Sequence, residues 1–236
     1  MIDPPPVGGP RSKRAFDLPD ASDADRRRAT SILAALRRRY PDARCELDAT
    51  TPHELLVATI LSAQATDVGV NKATPGLFAA FPTPGDYAAA TPKNIEPYVR
   101  TVNFWRNKAK NIHGAMTILA EEHAGDVPRD MASLLALPGV ARKTANVVLG
   151  NAFGINHGVV VDTHVGRLSR RFGLVEADQE DPIKIERRLM SLFPRPSWCI
   201  LSHLMIFHGR RACKARGGCC AEDRLCRRWC SNARSD

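Results

Sequence analysis

No stretch of eighteen consecutive apolar residues occurs in this chain of 236 residues, so no membrane-spanning helix and no membrane partner are expected. The opening residues, MIDPPPVGGPRSKR, lack the apolar core of a secretory signal. Strand-forming runs are nearly absent too. The one candidate, GVVVD at Gly158–Asp162, is short and unpartnered and reads as an extended connection. No internal repeat is present. These absences point to a cytoplasmic protein, in a compartment where thiols stay reduced. Its seven cysteines, five of them between Cys213 and Cys230, therefore need a use other than disulfides.

Positive charge, by contrast, is in excess. Thirty-four Lys and Arg face 25 Asp and Glu, a formal net charge of +9. The basic residues are spread out, with runs at Arg26–Arg28 and Arg37–Arg39. Such a balance implies a polyanionic partner, most simply nucleic acid. Residues 1–22, rich in Pro, Gly and charge, read as a disordered basic arm.

Beyond the arm, nearly every segment carries helical period and helical punctuation, and the fold class is all-α. Ile32, Leu33, Leu36 and Tyr40 mark a first basic helix. Thr51-Pro-His-Glu54 is a capping box with Pro at the first helical position, and Thr91-Pro starts a second helix similarly. Ile112, Ala115, Met116 and Leu119 form an apolar stripe that ends near Gly125. A short helix is expected at about 130–137. Longer ones are expected over 142–153, 163–172, 182–192 and 197–208. The cysteine-rich end lies beyond the last of these and reads as a separate small loop.

One stretch asks for chemistry. ALPGVARKTANVVLG, Ala136–Gly150, begins as a turn and continues as a helix. Pro138 and Gly139 suit a tight turn. The N–H groups of that turn and of the next helix's first residues lack intrahelical partners, so they can hold an anion such as a DNA phosphate. Lys143 then sits in the first helical turn, where the helix dipole disfavours its charged form. A neutral amine is a nucleophile and forms a Schiff base with a carbon at the aldehyde oxidation level. The plainer reading is a phosphate contact. Nineteen residues on, Asp162 precedes the helix that begins THVGR. It can cap that helix, or it can face Lys143 across a cleft and stabilise positive charge developing at a sugar C1′.

Taken together, LPGVARKTANVV, VDTH, LLVATILSAQATDVGVNKAT (Leu55–Thr74) and SHLMIFHGRRAC with the cysteines after it resemble the helix–hairpin–helix DNA glycosylases of the endonuclease III family. The resemblance runs from about Asp23 to the end. It implies a bilobal fold. One lobe, residues 45–156, would be a six-helix barrel containing the hairpin. The other, residues 23–44 with 157–236, would carry a [4Fe–4S] cluster, and the substrate pocket would lie between them. It makes Lys143 the nucleophile and Asp162 its acidic partner in a monomeric enzyme of base excision repair. That enzyme would remove oxidised or damaged pyrimidines from double-stranded DNA and then cut the strand by β-elimination.

The resemblance further implies DNA contacts from Pro138, Gly139, Val140, Ala141 and Arg142. It places Gln64 and Phe104 where the family inserts side chains into the hole left by an extruded base. Phe104 and Trp105 also suit a core anchor at a helix junction. Asp67 suits helix-start duty as well as a pocket.

The sequence departs from the family in two places. Ala141 stands where glycine is commoner, which puts in doubt how closely the hairpin approaches DNA. The family's cysteine spacing of six, two and five residues is not kept. Four ligands are expected from Cys213, Cys219, Cys220, Cys226 and Cys230. One set is Cys213, Cys220, Cys226 and Cys230; another replaces one of these by Cys219. A zinc site is the rival to the cluster. Cys45 and Cys199 read as core residues. His157, His164, His203 and His208 read as capping or core residues. The rival functions are a non-catalytic or lyase-only DNA-binding protein and a cluster-based redox protein.

Overall fold

The computed structural model describes residues 18–216 and 220–233, and among these the regular structure is helical throughout, with no strand. Most of the arm lies outside the described residues, as does Cys219. Side chains set where helices begin. Ser22 caps α1 (Asp23–Arg39), and Thr51 caps α2 (Pro52–Ser62) in a full capping box with Glu54. Thr66 caps α3 (Asp67–Ala80), and Thr83 with Asp86 boxes in the short α4 (Pro84–Ala89). Asn94 accepts the Thr91 N–H at the start of α5 (Pro92–Val99). Next come α6 (Trp105–Glu122) and α7 (Met131–Ala136), the latter capped by Asp130. After α8 (Arg142–Phe153), irregular chain leads through Gly158–Asp162 to α9 (Thr163–Arg171). The chain ends with α10 (Pro182–Leu192), α11 (Trp198–Arg211) and α12 (Arg224–Trp229).

Two separate hydrophobic cores result. The first gathers α2 to α8 around Leu56, Leu61, Leu77, Ile112 and Met116. Helix α2 is its axis, with every residue from Leu55 to Leu61 buried, as expected of a helix that is apolar all round. The second core joins α1 to α9, α10, α11 and α12 through Ile32, Leu36, Phe172, Leu189 and Met205.

Small residues and charge pairs set how the two halves meet. A Cβ on Gly150 of α8 would lie 2.8 Å from Cys199 Sγ of α11, so glycine permits that approach. At one end of the junction Arg142 donates to Glu186 of α10 through both Nε and Nη2, at 2.9 Å each, and Asn146 Nδ2 adds a third donor at 3.0 Å. Glu186 is only 5% exposed. At the other end Arg210 of α11 pairs with Asp67 at 2.7 Å and with Glu46.

A buried carboxylate is costly to leave unpaired, and a buried cation equally so. Glu186→Gln should therefore lower unfolding stability by about 3 kcal/mol. Urea unfolding would show this as a lower midpoint at unchanged slope. An unchanged midpoint would mean that the pair contributes nothing net.

Candidate active site

The hairpin 137–141 joins α7 to α8. Leu137 and Val140 are buried and anchor it, while Gly139 and Ala141 are exposed. Gly139 has φ +76°, and a Cβ there would stand 2.8 Å from Asn111 Cβ of α6. Glycine is needed both for the backbone and for the contact. Gly114 of α6 likewise leaves room for the Pro138 ring, 3.1 Å from where a Cβ would sit. Ala141 has φ −92° and ψ 169°. This is ordinary extended backbone, so the family's glycine is not required there for a left-handed conformation. No side chain caps α8, and the first N–H groups of a helix have no intrahelical acceptor.

Lys143 projects from this first turn and is exposed. Asp162 is the N-cap of α9 and accepts the Val165 N–H at 2.7 Å. The segment before it is held by the Val160 N–H, which donates to Ser202 Oγ at 3.0 Å. Lys143 and Asp162 come from different halves of the molecule and line one cavity of about 160 Å³. Thr59, Ser62, Ala63, Asp67, Thr144 and Asn151 line it from the first half, and Cys199, Ser202, His203 and Arg210 from the second. The cavity is small beside pockets for drug-sized ligands, about 300–1,000 Å³, and suits a single ring.

Several lining residues carried no such signal in the sequence. His203 Nε2 lies 2.7 Å from Asn151 Oδ1, and burial holds its pKa below the usual imidazole value. Cys45 and Cys199, expected in the core, line the cavity, and Cys45 sits in irregular chain rather than on a helix. Burial raises both thiols, Cys199 to about 11, so they stay protonated at neutral pH. Arg142, expected at phosphate, has its guanidinium on Glu186.

Gln64 and Phe104 stand outside the cavity on two neighbouring loops. Both are non-glycine residues in the left-handed region, at φ 54° and 57°, and Phe104 is 63% exposed. Each such residue costs about 1 kcal/mol or more, which the surroundings must offset. Phe104 is not a core anchor; its neighbour Trp105 is half-buried against the first core.

In the second half, Cys213, Cys220, Cys226 and Cys230 place their sulphurs within 4.8 Å of one another. The intervening residues number six, five and three. Arg171 Nη1 points at Cys213 Sγ from 3.2 Å, and His208 Nε2 stands 3.2 Å from Cys226 Sγ. The donor set is four thiols, with an Arg171 N–H directed at one and a His208 ring nitrogen beside another, which suits thiolate ligation and could bind a metal centre. Three of the sulphur–sulphur separations are 3.3–3.8 Å. That is close to the edges of a tetrahedron of zinc–sulphur bonds about 2.3 Å long.

The sequence model of the HhH-GPD superfamily base excision DNA repair proteins matches residues 57–195. Endonuclease III of a Synechocystis species is 54% identical over 200 residues, covering 85% of this chain and 90% of that protein. Endonuclease III of Escherichia coli K12 is 42% identical over 199 residues, covering 83% and 92%. Among solved structures, a trapped endonuclease III–DNA covalent intermediate superposes with a TM-score of 0.82 at 41% identity, covering 89% of this chain and 97% of that one. A tight hairpin leading into a helix that no side chain caps, a lysine in that helix's first turn and a carboxylate across a small interlobar cavity thus sit in a chain that belongs to the endonuclease III family of HhH-GPD base excision DNA repair proteins.

Proposed function

We propose that this protein is a DNA glycosylase and AP lyase that takes oxidised or ring-damaged pyrimidines from duplex DNA. One observation carries the reading: Lys143 and Asp162, supplied by different halves of the molecule, line one cavity sized for a single ring. The division into a barrel over residues 45–156 and a second lobe over 23–44 with 157–236 is supported by the two separate cores.

In this reading the hairpin N–H groups hold a backbone phosphate and the damaged nucleotide leaves the stack. The Lys143 amine attacks C1′. The C1′–N bond breaks and the base departs with the bonding pair and a proton. Asp162 stabilises the positive charge at the sugar while this happens. The amine's second proton passes to O4′ as the C1′–O4′ bond breaks and the sugar ring opens, and a Schiff base joins Nζ to C1′. Loss of a C2′ proton then expels the 3′ phosphate, which cuts the strand. Water finally releases Lys143.

The four sulphurs of Cys213, Cys220, Cys226 and Cys230 would hold a [4Fe–4S] cluster, whose part is to fold the loop around it. Lys214, Arg216, Arg227 and Arg228 would then be placed for phosphate contact.

Borohydride trapping on a duplex with one thymine glycol, beside an abasic duplex, tests the reading. A covalent adduct on the thymine glycol strand is the expected result. An adduct on the abasic duplex alone would reduce the protein to a lyase, and none on either would make Lys143 a phosphate contact.

A further inference from the structure

Lys108 has no place in the chemistry above, yet it is buried to 5% exposure and makes no ion pair with a carboxylate among the described residues. Its Nζ donates to the carbonyls of Leu61 and Ala63 at 2.7 and 2.6 Å. These are carbonyls at the end of α2, which no later helical turn can satisfy. A cation there is also favoured by the helix dipole. Burial lowers the pKa of this ammonium, a cost that its two carbonyl partners offset.

The position of these carbonyls gives the lysine its significance. Ala63 immediately precedes Gln64, whose φ is 54°. The backbone N–H of Lys108 itself donates to the Phe104 carbonyl at 3.0 Å, closing the first turn of α6. One residue thus holds the Gln64 loop with its side chain and the Phe104 turn with its backbone. A second tie runs the other way: Asn103 Nδ2 donates to the Gln64 carbonyl at 3.0 Å. Two exposed side chains on loops about forty residues apart are locked into one unit, each in a backbone conformation that non-glycine residues rarely take.

We infer that Lys108 and Asn103 are positioning residues for base extrusion, which brace Gln64 and Phe104 so that both enter the duplex together. The inference rests on the proposed function and deepens it. Extrusion costs unstacking and unpairing. A wedge that yields under that load spends part of the binding energy on its own rearrangement. The brace acts on the step that takes the base out of the stack and leaves the chemistry at Lys143 alone.

The test uses the full chain and two substrates carrying the same thymine glycol. In one the lesion is paired with adenine; in the other it lies in an unpaired bulge, already out of the stack. Single-turnover base release is measured for wild type, Lys108→Met, Asn103→Ala and Phe104→Ala, with a 2-aminopurine beside the lesion reporting unstacking. Lys108→Met should slow release from the paired lesion by about thirtyfold, which at 1.36 kcal/mol per decade is a loss of roughly 2 kcal/mol of wedging. It should also lower the 2-aminopurine signal and leave the bulge rate within twofold. Asn103→Ala, at an exposed position, should do the same more weakly and serves if Lys108→Met does not fold. Equal slowing on both substrates would make the lysine a general structural cap and overturn the inference. So would a paired-lesion rate unchanged in the Lys108 and Asn103 variants while Phe104→Ala is slow. If Phe104→Ala is itself unaffected, the wedge reading of Phe104 fails first.

Discussion

Lys143→Gln should abolish covalent capture and strand cutting, by at least about three orders of magnitude in rate, while duplex binding stays within roughly tenfold. Gln keeps most of the reach and polarity but cannot form an imine. The side chain is exposed on the first turn of α8, so its loss should not disturb packing. The phosphate grip proposed here comes from backbone N–H groups, which the substitution leaves in place. Asp162 cannot replace the amine, because a carboxylate forms no imine. Single-turnover cutting with borohydride trapping, beside a binding isotherm on uncut duplex, separates the two effects. Cutting that survives would hand the Schiff base to another amine. Binding that collapses along with cutting would make Lys143 chiefly a phosphate ligand.

The second large effect is expected at the cysteines. Cys213→Ala should strip the protein of iron and acid-labile sulfide, whereas Cys219→Ser should retain both. Cys213 is fully buried, and its sulphur lies 3.7–3.8 Å from those of Cys220 and Cys230. Removing it also costs the Arg171 guanidinium its sulphur partner, leaving it the Lys214 and Ala215 carbonyls. A loss of about 3 kcal/mol would lower the melting temperature by roughly 6–12 °C for a chain of this size. Metal and sulfide analysis of anaerobically purified protein, with thermal melts, reads all of this. Zinc without sulfide in the wild type would assign the tetrahedral alternative suggested by the sulphur spacing. Loss of iron in Cys219→Ser would bring that residue into the ligand set.

The sequence was most legible where a local signal is complete. Helices 142–153 and 182–192 have the bounds that their flanking residues announce: a Pro-Gly turn and a terminal Gly for one, Asp-Pro for the other. The Thr83-Pro-Gly-Asp86 box carries the same grammar as Thr51-Pro-His-Glu54, and α4 could have been read from it. Lys143 and Asp162 stood out because each sits at a helix start, a position that spacing reveals.

Contacts between distant segments were not legible. Arg142 meets Glu186 forty-four residues away, and Lys108 meets Leu61 across forty-seven. Neither pairing leaves a periodic trace, and both residues look like ordinary surface charge in a basic chain. Cys45 and Cys199 look apolar by composition, yet they face the cavity because the two halves close on them. Whether Ala141 needs a glycine's backbone freedom was not legible either: of the hairpin residues only Gly139 takes a positive φ.

The two cores also imply a timetable for synthesis. Helix α1 is the first described helix to leave the ribosome, carrying Ala29, Ile32, Leu33 and Leu36 with nothing to cover them. Its partners are α10, α11 and α12, the last to arrive. The Tyr40 hydroxyl waits 168 residues for the His208 ring. At 5–20 residues per second that wait lasts on the order of 10–30 s. Meanwhile α2 to α8 are contiguous and can fold as they emerge. The newborn chain would thus be a finished barrel tethered to a sticky amphipathic tail, kept soluble by Arg37, Arg38 and Arg39. The four-cysteine loop, which packs against this second core, is completed last, so the second half can close only once Cys230 has emerged.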